Sequence, residues 1–164
     1  MADQLARAFA RGVHVRGGQF YRSAVRGWVH FDDPHQPDEA RRLLSLRYRL
    51  SAVVAMEYAA AGFTCVVQDN IYGPDVSTWL DLTDAWPRHL VVLRPSLAAI
   101  TARDGARCLT TGKVAYQGGY TPEENDAAVG TTLSTLGLWR DTSRQTPADT
   151  VTEILDRSDE ARVP

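Results

Sequence analysis

The sequence predicts an α/β domain in which a parallel sheet carries helices on both faces. Short apolar runs typical of buried strands alternate along the chain with segments of helical periodicity, and no repeat or low-complexity linker interrupts them. Strands that alternate with helices form parallel sheets, because each crossover brings the chain back to the same end of the sheet. A length of 164 residues suits one compact domain, so we interpret residues 1–164 as a single three-layer domain.

The first predicted elements are short. Residues 2–10 favour an amphipathic helix, and residues 12–16 then alternate as a strand with both valines on one face. Residues 19–26 favour a second helix. A polar loop that contains proline follows at residues 30–37.

The middle of the chain has the strongest helical pattern. Residues 38–61 predict a long helix that ends at Gly62, and residues 64–68 predict a buried strand that leads into Asp69. Residues 73–85 predict another helix, opened by a glycine and a proline. The apolar residues that recur at helical spacing in the long helix are Leu43, Leu46, Leu50, Val53, Val54 and Tyr58.

The last third continues the alternation. Residues 89–93 predict a second buried strand, and the helix that starts after Pro95 runs into a polar stretch ending near residue 113. Thr121 begins a capping box with the glutamate three residues later. Residues 138–141 favour a short strand, and a terminal helix begins at Thr146.

Composition and charge exclude some function classes. A net charge of -2 provides no concentrated basic face, so nucleic acid is not an expected partner. No apolar run is long enough to cross a bilayer, and the two cysteines, Cys65 and Cys108, have no metal-ligand or redox spacing. We therefore expect a cytoplasmic protein with reduced thiols. The densest basic group, interpreted as a solvated helix face, is Arg41, Arg42, Arg47 and Arg49.

Four segments, taken in their order and spacing, resemble one known family over nearly the whole chain. They are His14-Val15-Arg16-Gly17-x-x-Phe20-Tyr21-Arg22, Val66-Val67-Gln68-Asp69-Asn70, Val91-Val92-Leu93-Arg94-Pro95-Ser96 and Gly118-Gly119-Tyr120-Thr121-Pro122. Each motif alone is weak. Together they are similar to the chloramphenicol phosphotransferase-like family of P-loop small-molecule kinases.

The resemblance implies a P-loop NTPase-like sheet, but the phosphate-binding loop is missing from the sequence. The only Gly-Lys pair, Gly112-Lys113, is followed by Val114, so G-x-x-x-x-G-K-[ST] does not occur. Residues 2–10 match the helix that follows the loop in the family. Either Met1 is an internal methionine of a longer protein or the gene has lost the loop. We expect the former, because losing the loop also removes the first strand.

That first strand is central in the family, between the strands that match residues 64–68 and 89–93. Without it the two strands should flank a gap or pair directly. A gap would expose the side chains of Val66, Val91 and Leu93 and leave backbone groups unpaired.

The resemblance also implies where the chemistry would lie. Family members usually have Asp where this chain has Gly18, so the residue thought to orient or deprotonate the acceptor hydroxyl is absent. The nearest replacement is Asp69. It is either a catalytic, metal-associated carboxylate or a strand-end residue that accepts from backbone N–H groups. The residues that the resemblance places around the substrate are Arg16, Gly18, Phe20, Tyr21, Asn70 and Tyr72.

Cations after residue 96 correspond to the family's lid over the transferring phosphoryl group. Arg103 and Arg107 would be catalytic, and together with Lys113 they would bind the phosphates of ATP. From spacing alone, the two arginines are also consistent with an exposed i,i+4 pair.

Two other groups of residues have less specific patterns. The loop sequence His30-x-Asp32-Asp33-x-His35 is interpreted as polar rather than metal-binding, because its proline breaks the rigid frame that a metal site needs, and no metal site is predicted. The aromatic residues that suit either an acceptor wall or ordinary packing are Tyr21, Trp28, Phe31 and Tyr72.

These observations predict a member of an ATP-dependent phosphotransferase family acting on a hydroxyl of a small molecule, with ATP and Mg²⁺ as the family's cofactors. The chain as written is expected to be inactive, because it has no phosphate loop. The alternative is a non-catalytic protein that binds a small hydroxylated molecule or another partner with the same fold.

Overall fold

Helices and three two-stranded sheets make up the computed structural model, which describes residues 1–116 and 120–164. About half of the chain is helical, and two of the sheets are parallel, so the predicted α/β class is confirmed. Gly118 and Gly119 of the fourth family segment lie outside the described residues. Within the described ranges, no helix combines the length and apolar character needed to cross a bilayer. Contacts divide the chain into two compact units, which we describe separately.

The first unit contains Met1–Ile71 and Asp75–Pro87. Its strands β1 and β2 pair in parallel, from Gly12 opposite Thr64 to Arg16 opposite Gln68. The elements in chain order are α1 (Ala2–Arg7), β1 (Gly12–Arg16), α2 (Gly18–Arg22), α3 (Pro37–Ala60), β2 (Thr64–Gln68) and α4 (Pro74–Asp81).

Both strands of this unit have the predicted bounds, and α3 is within one residue of its prediction at each end. Helices α1 and α3 both contact the two strands. Since α3 connects β1 to β2, these elements form one βαβ unit whose strands end at the same edge. Residues just after Arg16 and Gln68 are therefore neighbours, and the Gly17 N–H donates to the Gln68 carbonyl at 3.0 Å.

The second unit contains Tyr72–Pro74 and Arg88–Pro164. Strands β4 and β5 pair in parallel, from Val91 opposite Leu138 to Leu93 opposite Arg140. The elements are β3 (Arg88–His89), β4 (Val91–Leu93), α5 (Leu97–Thr111), α6 (Pro122–Gly130), β5 (Leu138–Arg140), α7 (Pro147–Asp156), a 3₁₀ turn (Ser158–Ala161) and β6 (Arg162–Val163).

Capping residues open the helices of the second unit. The predicted capping box at Thr121 is present, and a second one opens α7 at Thr146. Helix α5 begins at Ser96, whose hydroxyl accepts from the Ala99 N–H. It ends at Gly112, where the left-handed φ of 67° favours glycine.

Helix ends and one strand differ from the predictions. Helix α1 stops at Arg7, because the N–H groups of Ala8 and Phe9 bond three residues back and tighten the last turn. The strand predicted over residues 89–93 is divided in two. Its first part, β3, pairs antiparallel with β6, which the sequence did not predict.

Each parallel pair has only two strands, so each of its strands has one edge without a neighbouring strand among the described residues. In the first unit β2 has β1 as its hydrogen-bonded neighbour, and in the second unit β4 has β5. The side chains of Val66, Val91 and Leu93 are half-buried, where a strand inside a sheet would be buried. The strand expected to be buried at residues 64–68 is therefore only partly covered.

The core of the chain is correspondingly thin. Among the described residues, those with the lowest exposure are small: Ser51 is 0% and Ala161 is 1% exposed. On α3 the predicted apolar face is partly open, with Leu50 38% and Val53 58% exposed. No residue of α5 is buried. Much apolar surface of α3 therefore faces solvent.

Candidate functional site

An ion pair lies at the carboxyl edge of β1 and β2. The Asp69 side chain is 1% exposed and that of Arg47, on α3, is 12% exposed. The Arg47 Nε donates to Asp69 Oδ2 at 3.1 Å, and an Arg47 terminal nitrogen donates to Oδ1. Asp69 Oδ1 also accepts from the Asn70 N–H at 2.8 Å. Both carboxylate oxygens are therefore already engaged by protein donors.

Gly17 provides the space that this carboxylate needs. A Cβ at residue 17 would lie 1.7 Å from Asp69 Oδ2, far inside any contact distance. The carboxylate therefore rests against the backbone at the turn from β1 into α2. Asp69 was interpreted either as a metal-associated carboxylate or as a strand-end residue that accepts from backbone N–H groups. The geometry resembles the second interpretation, but the main donor is the Arg47 guanidinium and not a backbone N–H.

Arg47 was missed by the sequence interpretation, which placed it on a solvated face. The structure corrects this, because the side chain is buried against Asp69. Its spacing contained the signal: Arg47 follows Leu43 by four residues and precedes Leu50 by three, so it lies on the apolar face of α3. Arg42 fits the solvated interpretation, with an exposed pair to Glu39.

Tyr21 of α2 packs under the same guanidinium. The Arg47 Cζ lies 5.0 Å from the centre of the Tyr21 ring, a cation–π distance. The Tyr21 hydroxyl is buried, with the Arg47 guanidinium as its charged neighbour. Burial raises the pKa of Tyr21, and the charge of Arg47 opposes that rise. The residue is therefore a neutral phenol in this site.

A run of ring contacts continues from Tyr21 along the loop before α3. The centroids of Tyr21 and Trp28 are 6.0 Å apart, those of Trp28 and His30 5.6 Å, and those of His30 and Phe31 4.5 Å. His30 Nδ1 contacts Asp32, and no metal-capable cluster forms among the residues that the structure describes. Three members of the predicted aromatic wall thus lie along one run of rings.

These rings border a cleft of about 370 Å³ in the first unit. We call it the aromatic cleft; its lining is Tyr21, Arg22, Ala24, Val25 and Trp28. Behind it, between α2 and α3, is a hollow of about 40 Å³ that Phe20, Leu46 and Arg47 help to line. The predicted substrate residues Phe20 and Tyr21 therefore meet here.

The other predicted substrate residues have separate surroundings. Arg16 is exposed and its Nε donates to His14 Nδ1 at 3.4 Å. Gly18 is the first residue of α2, and the Asn70 carbonyl accepts from the Tyr48 hydroxyl at 2.9 Å. Tyr72 belongs to the second unit, where its hydroxyl donates to Asn125 Oδ1 at 2.7 Å.

The predicted lid cations lie on or after α5 in the second unit. Arg103 donates to backbone carbonyls of the loop after β5, at 2.5 Å to Thr142 and 3.3 Å to Gln145. Arg107 pairs with Asp104, and Lys113 is exposed just beyond the helix end. The two arginines have different partners, so they do not behave as an equivalent exposed pair.

No model of a known protein family matches the chain, and no curated protein matches it either.

Proposed function

We propose that this chain carries the acceptor-binding part of an ATP-dependent phosphotransferase that acts on a hydroxyl group of a small molecule. The observation that carries the proposal is the aromatic cleft, which is lined by α2 and the residues after it and whose Tyr21 ring packs on the guanidinium of the Arg47–Asp69 pair. Small-molecule sites of α/β proteins lie beyond the carboxyl ends of parallel strands and are mostly apolar.

The proposed fold is that of the chloramphenicol phosphotransferase-like P-loop kinases, a three-layer P-loop NTPase-like domain. Each strand of the two parallel pairs has one edge without a neighbouring strand in the described residues, and these edges include those of β2 in the first unit and β4 in the second. In the family, a strand between the counterparts of β2 and β4 completes the sheet and leads into the phosphate loop. The half-buried valines of β2 and β4 support this proposal, since a covering strand would bury them.

ATP and Mg²⁺ are the cofactors under this proposal, and the loop that binds them would have to come from residues outside this sequence. The DNA upstream of Met1 tests this. An in-frame strand followed by G-x-x-x-x-G-K-[ST] supports the proposal, and the longer protein should then transfer phosphate from Mg-ATP to a hydroxylated acceptor. An immediate in-frame stop would contradict a misplaced start.

Gly18 provides a test of the acceptor side. If the longer protein exists, Gly18→Asp should raise its transfer rate at least tenfold, because a missing general base typically costs about 10²–10⁴ in rate. The Asp69 carboxylate is paired with Arg47, so we do not expect Asp69 to act as the general base in the wild-type protein. Equal rates of the two proteins would show that the acceptor hydroxyl needs no base at this position.

A second candidate function is small-molecule binding without catalysis. It is favoured by the contacts of the two predicted lid arginines. Arg103 donates to loop carbonyls and Arg107 pairs with Asp104, so both guanidinium groups are bound to the protein rather than left for a phosphate. This candidate predicts that a hydroxylated ligand raises the melting temperature while Mg-ATP does not. A stabilisation by saturating Mg-ATP, normally about 3–4 kcal/mol at 100–1,000 times Kd, would count against it.

A further inference from the structure

We infer that the aromatic cleft binds a small aromatic anion, such as a hydroxylated aromatic carboxylate. The inference rests on the proposed function, because it specifies the class of molecule that the acceptor-binding part would hold. Shape, ring chemistry and charge each support it.

The cleft is an open depression of the surface, of a size that suits one aromatic ring. Its volume is about 370 Å³, near the lower end of the range for small-molecule sites, about 300–1,000 Å³. Tyr21 and Trp28 meet edge to face at an interplanar angle of 83°. Trp28 is 45% exposed and Val25 is 95% exposed, so apolar and aromatic surface is open to a ligand. An aromatic ring gains more from such walls than an aliphatic polyol does.

The charge of the cleft is positive. Arg22 is the only charged residue in its lining. Residues 17–31 include Arg22 and Arg26 but no Asp or Glu. No ion pair joins Arg22 to an acidic side chain in the described part of the chain.

The second guanidinium of the region is already neutralised. Arg47 is paired with Asp69 and covered by the Tyr21 ring, so it holds the cleft wall rather than a ligand. The Arg22 guanidinium lies over the start of α2, with one terminal nitrogen 3.8 Å from the place of a Cβ on Gly18. A carboxylate bound in the cleft would meet Arg22 as its cation, with the planar, two-pronged geometry that guanidinium provides.

The test is a calorimetric or NMR titration of the full chain with 4-hydroxybenzoate and with its neutral counterpart, 4-hydroxybenzamide. We expect the acid to bind about fivefold more tightly, because an ion pair with the exposed Arg22 contributes up to about 1 kcal/mol. Arg22→Gln should remove this difference. Arg26→Gln makes the same change of charge four residues away and outside the lining, and it should leave the difference within about twofold.

Three outcomes would overturn the inference. They are equal binding of acid and amide, an equal effect of Arg22→Gln and Arg26→Gln, and no binding of either aromatic probe. If a neutral polyol such as ribose binds and the two aromatic probes do not, the inferred aromatic ligand is wrong, but the proposed function is supported. The proposed function fails separately, if a longer protein with a phosphate loop transfers phosphate to no hydroxylated molecule.

Discussion

At the scale of single residues, a guanidinium and a carboxylate shielded from water join α3 to the end of β2. Arg47 and Asp69 are 12% and 1% exposed in their side chains. Two charges withdrawn from water lose hydration free energy, and their mutual contact is the main interaction that offsets this loss. If one partner is removed, the other stays buried without a counter-charge. The pair therefore makes the first unit sensitive to single substitutions and tolerant of a matched double substitution.

Arg47→Met should lower the free energy of unfolding by about 3–5 kcal/mol, as for other buried pairs that lose one member. Arg42→Met is the matched control on the same helix. It breaks an exposed pair with Glu39 and should cost no more than about 1 kcal/mol. Urea unfolding followed by circular dichroism measures both. The double variant Arg47→Met, Asp69→Leu should be more stable than Arg47→Met alone; an additive loss would contradict the coupling.

Gly17→Ala tests the close approach of the carboxylate to the backbone. Its methyl group would lie 1.7 Å from Asp69 Oδ2, so the pair with Arg47 must move, and we expect a loss of more than about 2 kcal/mol. Gly105→Ala is the control, because Gly105 lies within α5 with nothing within 4 Å of the new methyl. It should be neutral or stabilising by up to about 1 kcal/mol. If Gly17→Ala and Gly105→Ala change the melting temperature by the same amount, the space around residue 17 is larger than the structure indicates.

At the scale of elements, local patterns predicted what local interactions determine. The strand at residues 12–16, the capping box at Thr121 and the extent of α3 depend mainly on residues close together in the chain, and these were confirmed. The predicted apolar face of α3 was not, because Leu50, Val53 and Tyr58 are exposed and the buried residues of the helix lie at other positions. The division of residues 88–93 into two strands was not predictable, because it depends on β6, more than seventy residues along the chain. Arg47 was missed for a related reason: its partner Asp69 is 22 residues away.

Strand β1 should make stability depend on pH through His14. Its Nε2 is buried without a partner in the described ranges, and burial, aided by Arg16, lowers the pKa of His14 below its usual 6.5, with Asp3 opposing. Just below the ordinary pKa of histidine, His14 is therefore protonated in the unfolded chain and still neutral in the folded chain. The free energy of unfolding should be insensitive to this group above the ordinary pKa and fall as the pH drops below it.

Urea midpoints measured at about pH 7.5 and pH 5.5 check this dependence. His14→Gln should reduce the loss between the two values, and His35→Gln, in the exposed loop before α3, should leave it unchanged. If both variants keep the full loss, another group is responsible for the acid sensitivity.

At the scale of the whole molecule, the open strand edges decide between the two candidate functions. Hydrogen bonds alternate along a paired strand, so every second N–H points to the other side. The Thr64 N–H donates to the Arg11 carbonyl, which places the N–H of Val66 toward β1 and those of Cys65 and Val67 toward the open edge. In the second unit the Arg94 N–H donates to Arg140, so the N–H of Leu93 points away from β5.

Amide hydrogen exchange measured by NMR should therefore be fast at Cys65, Val67 and Leu93 in this chain and slow at Val66. A hydrogen-bonded core amide exchanges through the free energy of unfolding, about 5–15 kcal/mol for ordinary domains, whereas an open edge amide has no such barrier. In a longer protein that supplies a strand to these edges, the three fast amides should become as slow as Val66. If they are already slow in this chain, the edges are covered without any added strand. The non-catalytic binding protein would then be the better description, because the fold would be closed without a phosphate loop.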